Sequence, residues 1–178
     1  MNRVLILLLF VAVISSCDRM RVKRTVTDWI SREILIPDSL VFTIKGVDTL
    51  DFNLDTTRFK LLTYVNAGSC FECMARLKDW NYFMDTLDKL NVYVPQCVFI
   101  YYTDMIVEPL FLFEEFDFNH PVCLDASALF SRVNKFHELE QYQTVLLNKA
   151  NEIVLIGSPI NNKAIRRMVI DTLMKIKR

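Results

Sequence analysis

The chain has 178 residues, 21 Lys and Arg against 21 Asp and Glu, and 52% hydrophobic side chains, with only 3 Gly and 5 Pro. That composition excludes a disordered, collagenous or low-complexity chain, and the length suits one domain with a core that stands without staples. A formal net charge of zero gives no expectation of a nucleic-acid partner, and the 5 cysteines are too few for a disulfide scaffold, so their placement carries the information.

Asn2 and Arg3 make a short polar, positive start, and Val4 through Ile14 is an uninterrupted apolar run. A membrane-spanning helix needs about 20 apolar residues, whereas a run of this length suits the core of a signal peptide. It ends in Ile14-Ser15-Ser16-Cys17, small residues followed by cysteine, which resembles the lipobox of bacterial lipoproteins. The resemblance implies cleavage before Cys17, a lipid on its sulfur and acylation of its new amino group. Residues 1–16 are then signal peptide, 17–38 a lipid-anchored tether with a short helix, and 39–178 the folded domain. The expected location is the bacterial cell envelope, periplasmic side, with the membrane as a partner through Cys17. An ordinary signal peptide and an uncleaved anchor are the alternatives. Two acyl chains hold where one does not, and Arg19, Arg21, Lys23 and Arg24 either rest on anionic headgroups or form a solvated tether. In such a compartment disulfides persist.

Val22, Val26, Trp29, Ile30 and Ile34 fall at helical spacing, predicting a short amphipathic helix stopped by Pro37. Ser39 to Ile44 alternates like a strand, Lys45-Gly46 is a turn, and Val47 to Leu54 returns as a hairpin. Lys60 to Val65 reads as a buried strand, broken by Asn66-Ala67-Gly68-Ser69. Met74, Leu77, Trp80, Phe83, Met84, Leu87 and Leu90 then predict a helix from about Cys70 to Leu90. Val94 to Tyr102 is a second buried strand. Thr103 or Asp104 caps a helix from Met105 to Phe116 with Pro109 as its awkward member. Pro121 to Leu124 is a strand, and Asp125 is the expected N-cap of a helix over Ala126 to Lys135. Thr144 to Leu147 and Glu152 to Ile156 pair around Asn148-Lys149-Ala150-Asn151, and a last helix runs from about Asn161 to Lys177. Strand and helix alternate and a hairpin closes the series, which implies an α/β sandwich: a mixed sheet with helices on both faces.

Cys70-Phe71-Glu72-Cys73 stands where a buried strand gives way to a long helix. Two thiols at this spacing in a first helical turn close a small disulfide with little distortion. The helix's positive end favours thiolate, making Cys70 the exposed nucleophile and Cys73 the resolving thiol. Exchange proceeds by thiolate attack through a mixed disulfide. An inert structural disulfide is the plainer alternative. A zinc half-site would need two further ligands at a similar knuckle, and no second C-x-x-C or His pair exists, so neither a metal nor an organic cofactor is expected. Cys97 and Cys123 lie inside apolar strands and read as buried structural thiols. His120 and His137, far apart in the chain, read as surface or capping residues.

With this dithiol placed between strand and helix, the chain resembles the thioredoxin-like superfamily, and within it the membrane-anchored thiol–disulfide oxidoreductases of bacterial envelopes that carry a central strand–helix insert. The resemblance covers roughly Leu40 to Ile176, with His120-Pro121-Val122-Cys123-Leu124-Asp125 matching the insert and Thr144 to Gly157 the closing hairpin. It implies a three-layer sandwich, Cys70 and Cys73 as catalytic residues, and envelope proteins bearing disulfides or thiols as partners. It also places Phe71, Glu72, Gln143 and Thr144 around the site as tuning or groove residues. Three departures stand out. Gln143 precedes Thr144 where the family has a cis-proline, so a trans Tyr142–Gln143 peptide is expected. Gly68-Ser69 replaces an acidic residue and Trp, and Tyr64 replaces a buried acid. Glu72, if turned inward, opposes thiolate and makes the couple more reducing; turned outward it is a solvated first-turn carboxylate. The alternative function is a non-catalytic scaffold with a static disulfide, since fold does not dictate function.

Overall fold

Phe59 to Asn66 alternates its side chains to two apolar layers, so both faces must be covered, and the chain does this with helices on each side. The computed structural model describes residues 23–24, 26–49, 57–66, 75–103, 107–136 and 142–176. Its elements are β1 (Thr43–Ile44), β2 (Asp48–Thr49), β3 (Phe59–Asn66), α1 (Leu77–Lys89), β4 (Gln96–Tyr102), α2 (Val107–Glu115), β5 (Pro121–Leu124), α3 (Leu129–Asn134), β6 (Thr144–Asn148), β7 (Ile153–Ile156) and α4 (Lys163–Ile176). The sheet runs β2-β1-β5-β4-β3-β6-β7. β3, β4 and β5 are parallel neighbours and the remaining pairings are antiparallel, giving the expected mixed sheet.

On one face Leu61, Val65 and Phe99 meet Leu77, Trp80, Phe83 and Leu87 of α1 and Val169 and Leu173 of α4. On the other, Leu62, Tyr64, Ile100 and Val145 meet Phe130 of α3 and Ile34 of the N-terminal segment. The result is the expected three-layer sandwich.

The differences from expectation have local causes. The N-terminal helix ends near residue 30 rather than at Pro37, because Ser31 turns left-handed (φ 66°) and residues 31–34 continue extended. The Ser31 N–H donates to Ile153 O (2.8 Å), the Ile153 N–H to Arg32 O (2.9 Å) and the Ile34 N–H to Asn151 O (2.9 Å). Ile34 is fully buried because this segment runs antiparallel along the edge of β7 and Ile34 joins the core on one face, not because it sits on a helical stripe. β1 is shorter than the strand expected over Ser39 to Ile44, but the Lys45-Gly46 turn stands with both residues at positive φ. The helix expected from Cys70 is interrupted: Arg76 is left-handed (φ 48°, ψ 44°), its guanidinium is held by Asp79 (2.7 Å), and α1 begins at Leu77. Asp125 caps from further away than expected. Its carboxylate accepts from the Ser127 hydroxyl (2.9 Å) and the Phe130 N–H (2.8 Å), spanning a left-handed Ala128, so α3 starts at Leu129.

Lys60 was expected only as the edge of an apolar run, yet it is fully buried. Its ammonium donates to Asn151 Oδ1 (2.7 Å) and Lys149 O (3.2 Å), tying the start of β3 to the β6–β7 turn.

Candidate functional site

The carboxyl ends of parallel strands are where open α/β sheets take their ligands, because the loops there diverge and leave a crevice. Here β3 ends at Asn66, opposite Tyr102 of β4. On its other side the Tyr64 N–H donates to Gln143 O (2.9 Å) and the Thr63 and Thr144 hydroxyls are 3.3 Å apart. The chain resumes on the helical side at Ala75, fully buried, and Arg76.

Cys70, Phe71, Glu72 and Cys73 lie outside the described residues, as do Cys17 and His137. Their tethers are described. Cys70 follows Asn66 by four residues, a stretch that reaches at most about 14 Å, and Cys73 precedes Ala75 by two, at most about 7 Å. The dithiol is thus leashed to the carboxyl end of the central strand. The amino end of α1 is at Leu77, four residues past Cys73, rather than at Cys70 as expected, so both thiols precede α1 in the chain.

Gln143 and Thr144, the expected groove residues, are brought to this place, 3% and 2% exposed. No cis peptide occurs among the described residues, so Tyr142–Gln143 is trans. Gln143 separates two concavities. The smaller, about 20 Å³, is bounded by Thr63, Trp80, Thr144 and Ser158, with Arg76 and Asn161 joined across it by a guanidinium-to-amide hydrogen bond. The Ser158 hydroxyl is buried there with no hydrogen-bond partner among the described residues. The larger, about 500 Å³, is lined by Tyr64, Asn66, Tyr102, Ser131, Arg132, Lys135, Phe136 and Gln143. Burial raises the Tyr64 phenol above its ordinary pKa; a hydrogen bond with Ser131 opposes this and the Asp125 charge adds to it. Sequence reasoning missed Asn66, Tyr102, Ser131, Arg132, Lys135 and Ser158. They come from β3, β4, α3 with its C-cap, and the stretch after β7, and only the strand order brings these together.

Cys97 and Cys123 are buried free thiols, both pushed up to about 12, in each case chiefly by burial. They belong to cores on opposite faces of the sheet, so they do not face one another as a second redox pair. Cys97 sits 3.3 Å from the Met84 sulfur. His120 lies at the amino end of β5, away from the site, against Phe118 (4.9 Å) and Phe99 (5.9 Å). Burial lowers its pKa, with the charges of Asp85 and Asp88 acting in the opposite direction. A histidine held neutral in the fold binds fewer protons than the same histidine unfolded. Stability is therefore expected to fall as pH drops from about 6.5 through the lower folded-state value. Urea midpoints between pH 7.5 and 5 check this, and the His120→Asn protein is expected to show a flatter slope; equal slopes would show that His120 is not the group responsible. Among the described residues no three His, Cys, Asp or Glu side chains converge as a metal site, and no helix is long and apolar enough to cross a membrane.

No family model and no curated protein sequence matches this chain. Solved structures do. Peroxiredoxin Q of Xanthomonas campestris superposes with a TM-score of 0.52 at 13% identity, over 79% of this chain and 94% of that one. An uncharacterized conserved protein of Geobacillus kaustophilus gives 0.55 at 10% identity, over 82% of each chain. AhpC of Enterococcus faecalis gives 0.51 at 13% identity, over 81% of this chain and 92% of that one. At such identities the similarity speaks to architecture, and the architecture of this chain is the thioredoxin-like α/β fold.

Proposed function

We propose that this chain is a lipid-anchored thiol–disulfide oxidoreductase of the bacterial cell envelope, working through Cys70 and Cys73 and held to the membrane by a lipid on Cys17. The observation that supports the reading best is positional. In the sequence the C-x-x-C pair falls between the central strand β3, which pairs with Thr144 of β6, and helix α1 of a thioredoxin-like fold. That is the crevice end of the sheet, where a partner's disulfide can approach. Burial pushes the two deep thiols, Cys97 and Cys123, up to about 12, which speaks against either as the nucleophile and so supports the reading through Cys70.

A second reading, a scaffold with a static disulfide, draws support from Gln143, whose buried side chain occupies the wall between the two concavities. The equilibrium reduction potential separates the two. An exchange catalyst is expected between about −120 and −270 mV, with rapid exchange, whereas a staple lies below about −300 mV and resists dithiols. A potential in the lower range with slow exchange overturns the oxidoreductase reading. The Xanthomonas campestris neighbours are peroxiredoxin Q and bacterioferritin comigratory protein, the latter with alkyl peroxide reduction activity. Adding hydrogen peroxide to the reduced protein tests whether such chemistry extends to this dithiol; exchange with disulfides is expected to be the faster reaction.

A further inference from the structure

The cavity of about 500 Å³ has a lining that thiol chemistry alone does not require. Its volume falls in the range of pockets that enclose small organic ligands. The rings of Tyr64 and Phe136, 5.6 Å apart, give it an apolar floor. Asn66 and Gln143 supply amides, and Arg132 and Lys135 stand at the exposed rim. Ion pairs among the described residues are made by Lys45 and Arg76, not by Arg132 or Lys135. Asp125, whose charge is felt at Tyr64, directs its carboxylate to the Ser127 hydroxyl and the Phe130 N–H instead. Two cations without a carboxylate partner among the described residues, over an aromatic floor, favour an organic anion over a cation. The volume is far larger than a bare inorganic ion needs.

We infer that this cavity receives a carboxylate carried by the molecule that exchanges disulfides with the chain, the anion held between Arg132 and Lys135 and the ligand body resting on Tyr64 and Phe136. The inference rests on the oxidoreductase reading for the ligand's sulfur and on the cavity alone for its carboxylate. Asn66 lines the cavity and lies four residues before Cys70, so a ligand seated there is within the reach of the dithiol's own leash.

The test uses the full-length protein in detergent micelles. Calorimetric binding of S-methylglutathione, which bears carboxylates but no reactive sulfur, is compared with that of its diethyl ester. The acid is expected to bind about tenfold or more tightly than the ester, as for loss of a charge-assisted contact, and less tightly as salt rises. Arg132→Gln with Lys135→Gln is expected to bring the acid to the level of the ester while circular dichroism stays unchanged. Equal binding of acid and ester, no binding of either, or unchanged binding by the double variant overturns the inference. Tighter binding of inorganic phosphate than of the tripeptide also overturns it. Exchange with the uncharged 2-hydroxyethyl disulfide is measured in parallel on the wild-type protein. If that reaction is absent while the acid still binds, the oxidoreductase reading fails and the carboxylate site stands. If it is present without acid binding, the reverse holds.

Discussion

Replacing Cys70 by Ser is expected to reduce disulfide exchange to the rate of the reagents alone, a loss of about three orders of magnitude or more. The chemistry gives the two cysteines unequal roles. In the proposed exchange the Cys70 thiolate attacks one sulfur of the partner's disulfide, forming a mixed disulfide, and the partner's other sulfur departs as thiolate and takes a proton. Cys73 then attacks Cys70 in that mixed bond, the partner's second thiolate leaves, and Cys70–Cys73 is closed. Two electrons have passed to the partner; the opposite direction retraces the same steps. Cys73→Ser is therefore expected to lose turnover but not the first attack, so the partner is retained as a covalent adduct. Non-reducing gels of envelope extracts check this. Adducts are expected with Cys73→Ser, absent from the Cys70→Ser protein and dissolved by a dithiol reductant. A Cys73→Ser protein that retains nothing, or a Cys70→Ser protein that still turns over, would count against the assignment. Cys97 and Cys123 do not confuse the reading, since burial pushes both up to about 12.

Phe99→Ala is expected to destabilise the domain by about 4 kcal/mol, a large share of the roughly 5–15 kcal/mol that holds a domain folded. Phe99 is fully buried in the middle of β4. Its ring meets Trp80 edge-on at 5.1 Å and Phe118 at 5.0 Å, stacks on Tyr101 at 6.3 Å and touches His120 at 5.9 Å. Truncation leaves a void bordered by rings on three sides, and large planar groups on rigid elements close such a void poorly. Phe99→Leu keeps most of the volume and loses the edge-on geometry, so about 1–2 kcal/mol is expected. Urea denaturation of both proteins reads the difference. If the two substitutions cost the same, the ring network contributes nothing beyond filling space.

The strands β3, β5, β6 and β7 were legible in the sequence because each is a short apolar run with punctuation at its ends, such as the Asn148-Lys149-Ala150-Asn151 turn that joins the last two. The three-layer arrangement followed from their alternation with amphipathic helices. What misled was hydrophobic spacing that had another origin. Ile34 is buried as extended chain along the edge of β7, not as the next turn of a helix. Nothing in composition betrays a left-handed Arg76, because its conformation is held by Asp79 and by a side chain 85 residues away, Asn161. Lys60 was unreadable as a buried charge, since its acceptors lie at Lys149 and Asn151. The large cavity was invisible for the same reason: Tyr64, Tyr102, Arg132 and Gln143 meet only because β4 and β6 flank β3. The C-x-x-C motif drew its weight in the sequence from its place between a buried strand and a helix, and Cys70 and Cys73 lie outside the described residues.

The seating of β6 beside β3 also sets a timetable. Thr63 and Thr144 touch across 81 residues of chain, and every β3–β6 pairing is of that order. Pairings of such long range close late, because the loop entropy is lost before the contacts reward it. A chain emerging amino end first can dock β4 against one side of β3 well before β6 exists. During that interval the other side of β3 offers unpaired amides and carbonyls flanked by Leu61, Leu62 and Val65, an edge that another copy can add to. How quickly the last third of the chain is delivered therefore governs how much of it reaches the folded state, and changes that slow the arrival of β6 cost yield even where the finished sheet is as stable as before.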